Sequence, residues 1–420
     1  MPAFNPPISR RSILSGAGGV AALAALGATA GCGSGGSKDL SQWYHQYGED
    51  GTKQAAMRYA SDYKKAKKVG VKVQWTPGDY ATVLSKGLLG NKGPDCFESQ
   101  LNYTMVKSKQ IIPLDDIIDP VKSDFNPSDL APNTIDGKVY GIKMIDDPQI
   151  FYYRKSMFTK AGVQVPATLN DLVATAKKLT SGKVKGIYAG AQSDSGLSAL
   201  TTSAIFASGH TNLTADNKDV DYDNDDVAEA ISLLHQIRSD KSVLTGAATD
   251  WTNPQTFLDG KCAIQWCGLW AMPQIQKALN DDFGIFAFPA VGSKGKQVVY
   301  NGGWTQFVAA KSKKQSKAKD YVKWLWIEQS ALQEDWSLSY GFHIPPRKSL
   351  AAKAKKLQSG PPADVVKLAN EHGFGDNPYW TPDVGQPQTD AVTNIVLKGK
   401  DAKKELDAAA KKSREALKKQ

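Results

Sequence analysis

The sequence predicts an α/β protein built as two lobes, on three observations. From Leu40 onward, strand-like apolar runs alternate with helical stretches. A second α/β stretch follows the first, opening near "GKVYGI". The chain has 420 residues, more than one hydrophobic core organises, so it should divide.

The elements follow in order. "LSQWYHQY" reads as a strand, and residues 49–68 as a helix with Ala56, Tyr59, Ala60 and Tyr63 on one face. "VKVQW" is a strand, Asp79 caps a helix through Leu89, and "PDCFES" is a third strand. This spacing implies crossover connections and a parallel sheet, whose ligands sit beyond the carboxyl ends of the strands. That rule points to Tyr44, Gln46, Trp75, Asp95 and Glu98.

In the second stretch, "GKVYGI" and "QIFYYR" read as paired strands, and Thr168 opens a helix running to Leu179. "VKGIYAG" is a strand. "KDVDYDNDDVAEAISLLHQI" is a short strand and an acid-led helix, with Val227, Ala230, Ile231 and Leu234 as its buried stripe. "FLDGKCAIQWCGLW" and "DFGIFAFP" add strands. "NGGWTQFVAA" precedes a helix burying Ala318, Tyr321, Val322, Leu325 and Trp326, and a Lys/Ala helix closes the chain from about Asp401.

Ahead of these elements lies "SRRSILSGAGGVAALAALG", two arginines and then a Gly-broken apolar run. This is an export signal over residues 1–31, too interrupted for a membrane span. Its Arg10-Arg11 start resembles a twin-arginine leader, and "TAGC" resembles a lipobox with Cys32 as the lipidated residue. Residues 32–38, rich in Gly and Ser, form a flexible tether.

The composition is that of a soluble globular protein, 41% hydrophobic and 22% charged. Loss of the leader removes two arginines from a formal net charge of +10. The lysines are spread along helical stretches without an arginine-rich or aromatic-basic block, which argues against nucleic acid as a partner. Cys262 and Cys267 share one extended run, whose span of ~16 Å is beyond disulfide reach. With Cys96 they read as small core residues, and no zinc-ligand spacing appears among Cys and His.

The stretches "GPDCFES", "DGKVYGIKMIDDPQIFYYRKSMFTKAGVQVPATLNDLVATAKKL", "VDYDNDDVAEAISLLHQI", "FLDGKCAIQWCGLW", "DFGIFAFPAVG", "GGWTQFVAAKSKKQSKAKDYVKWLW" and "GFHIPPRKSL" occur in that order. Together they resemble the extracytoplasmic solute-binding lipoproteins of ABC importers, in the carbohydrate-binding family. The resemblance implies a periplasmic-binding-protein fold with hinge-linked lobes and a ligand cleft between them. It places one lobe at 39–144 plus 299–344 and the other at 145–298 plus 345–420. It implies a receptor that closes around a mono- or oligosaccharide and presents it to the permease subunits. The protein would be a monomer, held to the outer face of the cell membrane through Cys32. It implies no cofactor, no metal and no catalysis.

Sugar rings offer apolar C–H faces and a rim of hydroxyls, so their sites pair flat aromatics with carboxylates and amides. Trp304 follows Gly303 in "NGGW", and Trp270 closes "CGLW"; the resemblance turns both loops toward the cleft. Trp43 and Tyr44 occupy adjacent strand positions, so alternation lets one of them reach a ligand. Asp95 matches the family's Pro-Asp pair, and Glu98 ends the same strand. Asp147 and Gln149 follow the first crossing between lobes, with Lys143 where the family usually carries proline, and Arg347 lies past the last crossing. Trp324, Trp326 and Trp336 belong to helix packing.

Other readings are weaker. No Gly-x-Gly-x-x-Gly after a strand, no His-Glu-x-x-His and no Gly-x-Ser-x-Gly marks an exported enzyme, and "SDYK" lacks the companions of a Ser-x-x-Lys site. A glycosidase needs just two carboxylates, which sequence does not place. Asp219, Asp221, Asp223 and Asp225 alternate as in a calcium loop but lack its glycine and final glutamate. A peptide or polyamine receptor is the alternative within the binding class, and a purely structural lipoprotein is the remaining one.

Overall fold

Two mixed sheets organise the chain in a computed structural model that describes residues 39–190 and 197–420. The leader, Cys32 and the tether fall outside the described residues. The strands in chain order are β1 Leu40–His45, β2 Val71–Thr76, β3 Cys96–Ser99, β4 Thr134–Ile135, β5 Lys138–Val139, β6 Ile142–Ile145 and β7 Pro148–Tyr153. They continue as β8 Lys185–Tyr188, β9 Cys262–Gly268, β10 Gly284–Phe286, β11 Val299–Asn301, β12 Trp304–Val308 and β13 Gly373–Phe374.

The first sheet has the order β2-β1-β3-β12-β6. Its β1, β2 and β3 are parallel as the spacing predicts, but β12 runs antiparallel to both β3 and β6. One edge therefore collects the carboxyl ends of β1, β2, β3 and β6 and the start of β12. The second sheet has the order β13-β11-β7-β9-β8, with β10 also on β7. The expected pairing of "GKVYGI" with "QIFYYR" does not occur. Ile142–Ile145 completes the first sheet while Pro148–Tyr153 joins the second, so the backbone crosses between them at Asp146 and Asp147. It crosses again between Asn301 and Trp304. A third passage lies beside the first, where Asp146 and Ile344 exchange backbone hydrogen bonds.

Local chemistry explains the helices that hold these sheets. Asp79 accepts from the Thr82 amide to start the helix Tyr80–Leu89. Thr168 and Asp171 form a reciprocal capping box on Leu169–Leu179, a device worth about 1 kcal/mol. Asn224 caps Asp225–Ser239, whose Val227, Ala230, Ile231 and Leu234 are fully buried. Ala318, Tyr321 and Val322 are buried along Gln315–Lys323, which passes into a π-turn over Trp324–Glu328 that buries Trp324 and Trp326; Trp336 is buried in the next helix. Asp401 caps the last helix, Ala402–Leu417.

Each sheet has its own core. Tyr44, Tyr59, Tyr63 and Trp336 pack with the first, and Phe151, Ile187, Ile231 and Trp266 with the second. Cys96, Cys262 and Cys267 are free and buried. The aspartate run is structural: Asp219 and Asp223 both pair with Arg414, and Asp221 accepts from the Thr211 amide. Among the described residues no helix is long and apolar enough to cross a membrane.

Candidate functional site

The edge where β1, β3 and β6 end carries an aromatic and acidic group of side chains. Trp304, first residue of β12, lies with its ring 3.9 Å from the His45 ring at an interplanar angle of 20°, and remains partly exposed. Beneath them Glu98 is fully buried and anchors the group. It accepts from the His45 amide at 2.7 Å and the Tyr47 hydroxyl at 2.7 Å, with His45 Nδ1 at 2.5 Å. Burial first, and then the Glu98 carboxylate, raise Tyr47 well above the ordinary phenol range, so it stays a donor. Gly303 sets Trp304 in place. It has φ of 106°, and a Cβ there would run into the Ile145 carbonyl.

Beside this group the first and third crossings meet. Asp147 Oδ1 stands 2.5 Å from His343 Nδ1, and Glu49 Oε1 stands 3.1 Å from His343 Nε2. Burial pulls the His343 imidazolium down, but the two carboxylates outweigh that and hold it at about 10. Each carboxylate keeps a second oxygen that the imidazole does not occupy, an acceptor suited to a hydroxyl. Gly341 lies between Glu49 and the Trp270 carbonyl, 2.9 Å and 3.1 Å from an added Cβ. Trp270 folds its ring over Gly268, where a side chain would collide with it, and donates to the Thr252 carbonyl at 2.9 Å. Trp251 meets it edge-on at 5.8 Å.

Strand alternation assigns these groups to one side of the crossings. Asp147, His343 and Trp304 face the aromatic side. Their chain neighbours Asp146, Ile344 and Thr305 line a cavity of about 430 Å³, whose wall Gly302 and Gly303 share.

Of the residues expected at a ligand site, Trp304, Gly303, Asp147 and Trp270 are gathered here. Gln149 lies close by, its Oε1 accepting from Trp266 Nε1 at 3.2 Å. Five others are corrected by the structure. Trp43 is buried against Leu84 and Leu88 with its indole N–H on Ser41 Oγ, and Tyr44 is fully buried beside Trp75 and Trp336. Alternation does send them to opposite faces, but both faces are core. Asp95 closes the first sheet through the Ser41 amide, Ser312 and Lys314, at 2.9, 2.5 and 2.9 Å. Glu98 acts through His45 and Tyr47 and has no exposed surface. Arg347 is locked on Asp124 at 2.8 Å and on the Ile327 carbonyl.

Sequence reasoning missed His45, Tyr47, Glu49 and His343. His45 and Tyr47 stand one place over from the Tyr44 and Gln46 that the strand-end rule selected. Glu49 and His343 are far apart in the chain, and no local pattern joins them.

The fold recurs in solved structures. A solute-binding protein of Thermotoga lettingae bound with α-D-tagatose superposes with a TM-score of 0.78 at 18% identity, covering 91% of this chain and 100% of that one. The GacH receptor of Streptomyces glaucescens, solved unliganded and with acarbose, gives 0.75 at 21% identity over 90% and 98%. UgpB of Mycobacterium tuberculosis, in complex with glycerophosphocholine, gives 0.74 at 18% over 91% and 99%. These likenesses establish the two-lobed binding-protein fold. A probable ABC transporter-binding protein of Deinococcus radiodurans is 24% identical over 231 residues, 52% of this chain and 54% of that relative. The chain thus spans about half the length of the curated relative it matches. Residues 58–363 match the model of the bacterial extracellular solute-binding protein family. With the fold, the crossings and that match over most of its length, the chain belongs to the bacterial extracellular solute-binding proteins.

Proposed function

We propose that this protein is the substrate-binding component of an ABC importer, capturing a mono- or oligosaccharide between its lobes and handing it to the permease. The observation that carries this reading is Trp304. It is a partly exposed indole braced by His45 at the sheet edge, with Asp147 and Glu49 as hydroxyl acceptors beside it. A flat ring next to fixed acceptors matches the alternation of C–H face and hydroxyl rim on a sugar. The tagatose and acarbose bound by the structural neighbours support the same ligand class.

The leader, the lipid on Cys32 and the tether of residues 32–38 complete the proposal as an anchor on the outer face of the membrane. The lobes follow the expected spans, 39–144 plus 299–344 and 145–298 plus 345–420. Two adjustments follow from strand membership: β6 keeps Ile145 with the first sheet, and β11 belongs to the second, which moves that crossing to Gly302 and Gly303. The protein works as a monomer and without a cofactor. A polyamine is a poorer fit to the aromatic side, because Glu98, Asp147 and Glu49 already face His45, Tyr47 and His343.

The test is thermal shift of the mature chain against a panel of mono- and oligosaccharides, with glycerophosphocholine and a tripeptide as non-sugar arms. We expect a sugar to raise the melting temperature and Trp304→Ala to abolish most of that rise. An aromatic anchor is worth about 2–4 kcal/mol when truncated, or ~30- to 1000-fold in affinity. A response to a non-sugar arm alone overturns the carbohydrate assignment, and steady product formation overturns the binding-protein reading.

A further inference from the structure

The cavity on the far side of the crossings has a chemistry of its own. Its wall includes Asp129, Lys143, Asp146, Asn301, Thr305 and Asp376, drawn from the surroundings of both sheets. Asp129 and Asp146 are each 4% exposed. Among the described residues Asp129 Oδ2, Asp146 Oδ1 and Asn301 Oδ1 accept no hydrogen bond. Lys143 Nζ is committed to Asp146 Oδ1 at 3.1 Å and to the Gly302 carbonyl at 2.9 Å. Asp376 takes the Tyr300 hydroxyl at 2.7 Å. Three carboxyl groups thus share one ammonium, and three buried acceptors have no hydrogen-bond donor among the described residues, Asp146 Oδ1 meeting Lys143 as an ion pair alone.

We propose that this cavity is a second ligand site, separate from the carbohydrate face, which takes a small primary ammonium compound on the Asp129–Asp146 carboxyl pair. An R–NH₃⁺ group brings the missing positive charge and three N–H donors for Asp129 Oδ2, Asn301 Oδ1 and the pair's shared edge. A metal ion is not the occupant that the residues favour, since no group of three or more metal-ligating side chains gathers among the described residues.

Near neutrality the Asp129–Asp146 pair favours holding a proton. Burial, and then the adjacent Asp146 carboxylate, push Asp129 up to about 8, with Lys143 opposing. Asp146 is itself raised by burial, opposed by Lys143 and reinforced by Asp147; Asp376 adds its charge on the Lys143 side. Two buried carboxylates side by side cannot both ionise at low cost. When the ammonium enters, it keeps its three protons as donors, and Asp129–COOH releases its own to the buffer and becomes the counter-ion. No covalent bond changes.

The experiment is isothermal titration of the mature chain with ethanolamine at neutral pH, in phosphate and in MOPS, whose ionisation heats differ. Glycerol serves as the uncharged probe and potassium chloride as the ionic control. We expect one saturable site for ethanolamine, none for glycerol or potassium, and a buffer-dependent heat equal to nearly one proton released per amine bound. Asp129→Asn, which keeps the shape of the neutral acid, should weaken binding by about tenfold or more and abolish proton release. Asp376→Asn, which retains an acceptor for Tyr300, should weaken binding about threefold and keep the proton release. Absence of saturable ethanolamine binding, equal binding of glycerol, or unchanged binding and proton release in Asp129→Asn overturns the proposal.

Discussion

His343 gives the sharpest physical prediction. It sits buried between Asp147 at the first crossing and Glu49 in the turn that joins β1 to the helix Thr52–Lys67, so its charge fastens two segments that the site needs together. In the folded chain it holds its proton up to about 10, against about 6.5 in an unfolded chain. Between those values the native state binds a proton that the unfolded state has released. The stabilisation is therefore complete below about pH 6.5 and fades as pH rises toward 10, by about 1.4 kcal/mol per pH unit. In His343→Asn the cation is gone and two carboxylates stay buried without it, a loss of about 3–5 kcal/mol near neutrality. Urea denaturation of the mature chain and the variant, followed by tryptophan fluorescence, measures the difference across pH. That difference should shrink steadily between about pH 7 and 9. A gap that stays constant over that range refutes the charged assembly, and a gap that widens reverses its sign.

Two further outcomes follow from the same geometry. Gly303→Ala places a methyl against the Ile145 carbonyl at φ of 106°, so the urea midpoint should fall by the equivalent of about 1–3 kcal/mol; an unchanged midpoint removes the constraint claimed for Trp304. Asp129 is raised rather than lowered, so its contribution to stability is present at acid pH and is lost as pH rises through about 8. Asp129→Asn should flatten that decline between pH 5 and 8 by up to about 1.4 kcal/mol per unit; a decline equal to that of the parent protein contradicts the shared-proton pair.

Local signals made much of the fold legible. Asp79 caps the helix it is expected to cap and Thr168 the helix it is expected to open, because capping depends on residues within four positions of one another. The buried stripe of Asp225–Ser239 follows from periodicity alone. The direction of β12 and the separation of β6 from β7 were not legible, since "YGIKMIDDPQIFYY" reads the same whether its strands pair or part. Pro387 lies inside the helix Pro382–Lys398, where packing against Ala402–Leu417 and Asp225–Ser239 overrides a breaker signal.

The site divided in the same way. Trp304 and Trp270 stand out because each follows a glycine-bearing strand end, where a ring needs an open backbone. Trp43, Tyr44 and Asp95 carry similar signals but spend their side chains on the first sheet's own closure. The partnership of Glu49, Asp147 and His343 joins the turn after β1 to the first and third crossings, which no window of sequence spans.

The most direct test of the account is a crystal structure of the mature chain with the best-binding sugar of the panel. We predict a ring against the Trp304 indole with hydroxyls on Asp147 or Glu49, enclosed by Trp270 from the opposite lobe. Density for the sugar behind the crossings, beside Asp129 and Asp146, or on an outer surface contradicts it.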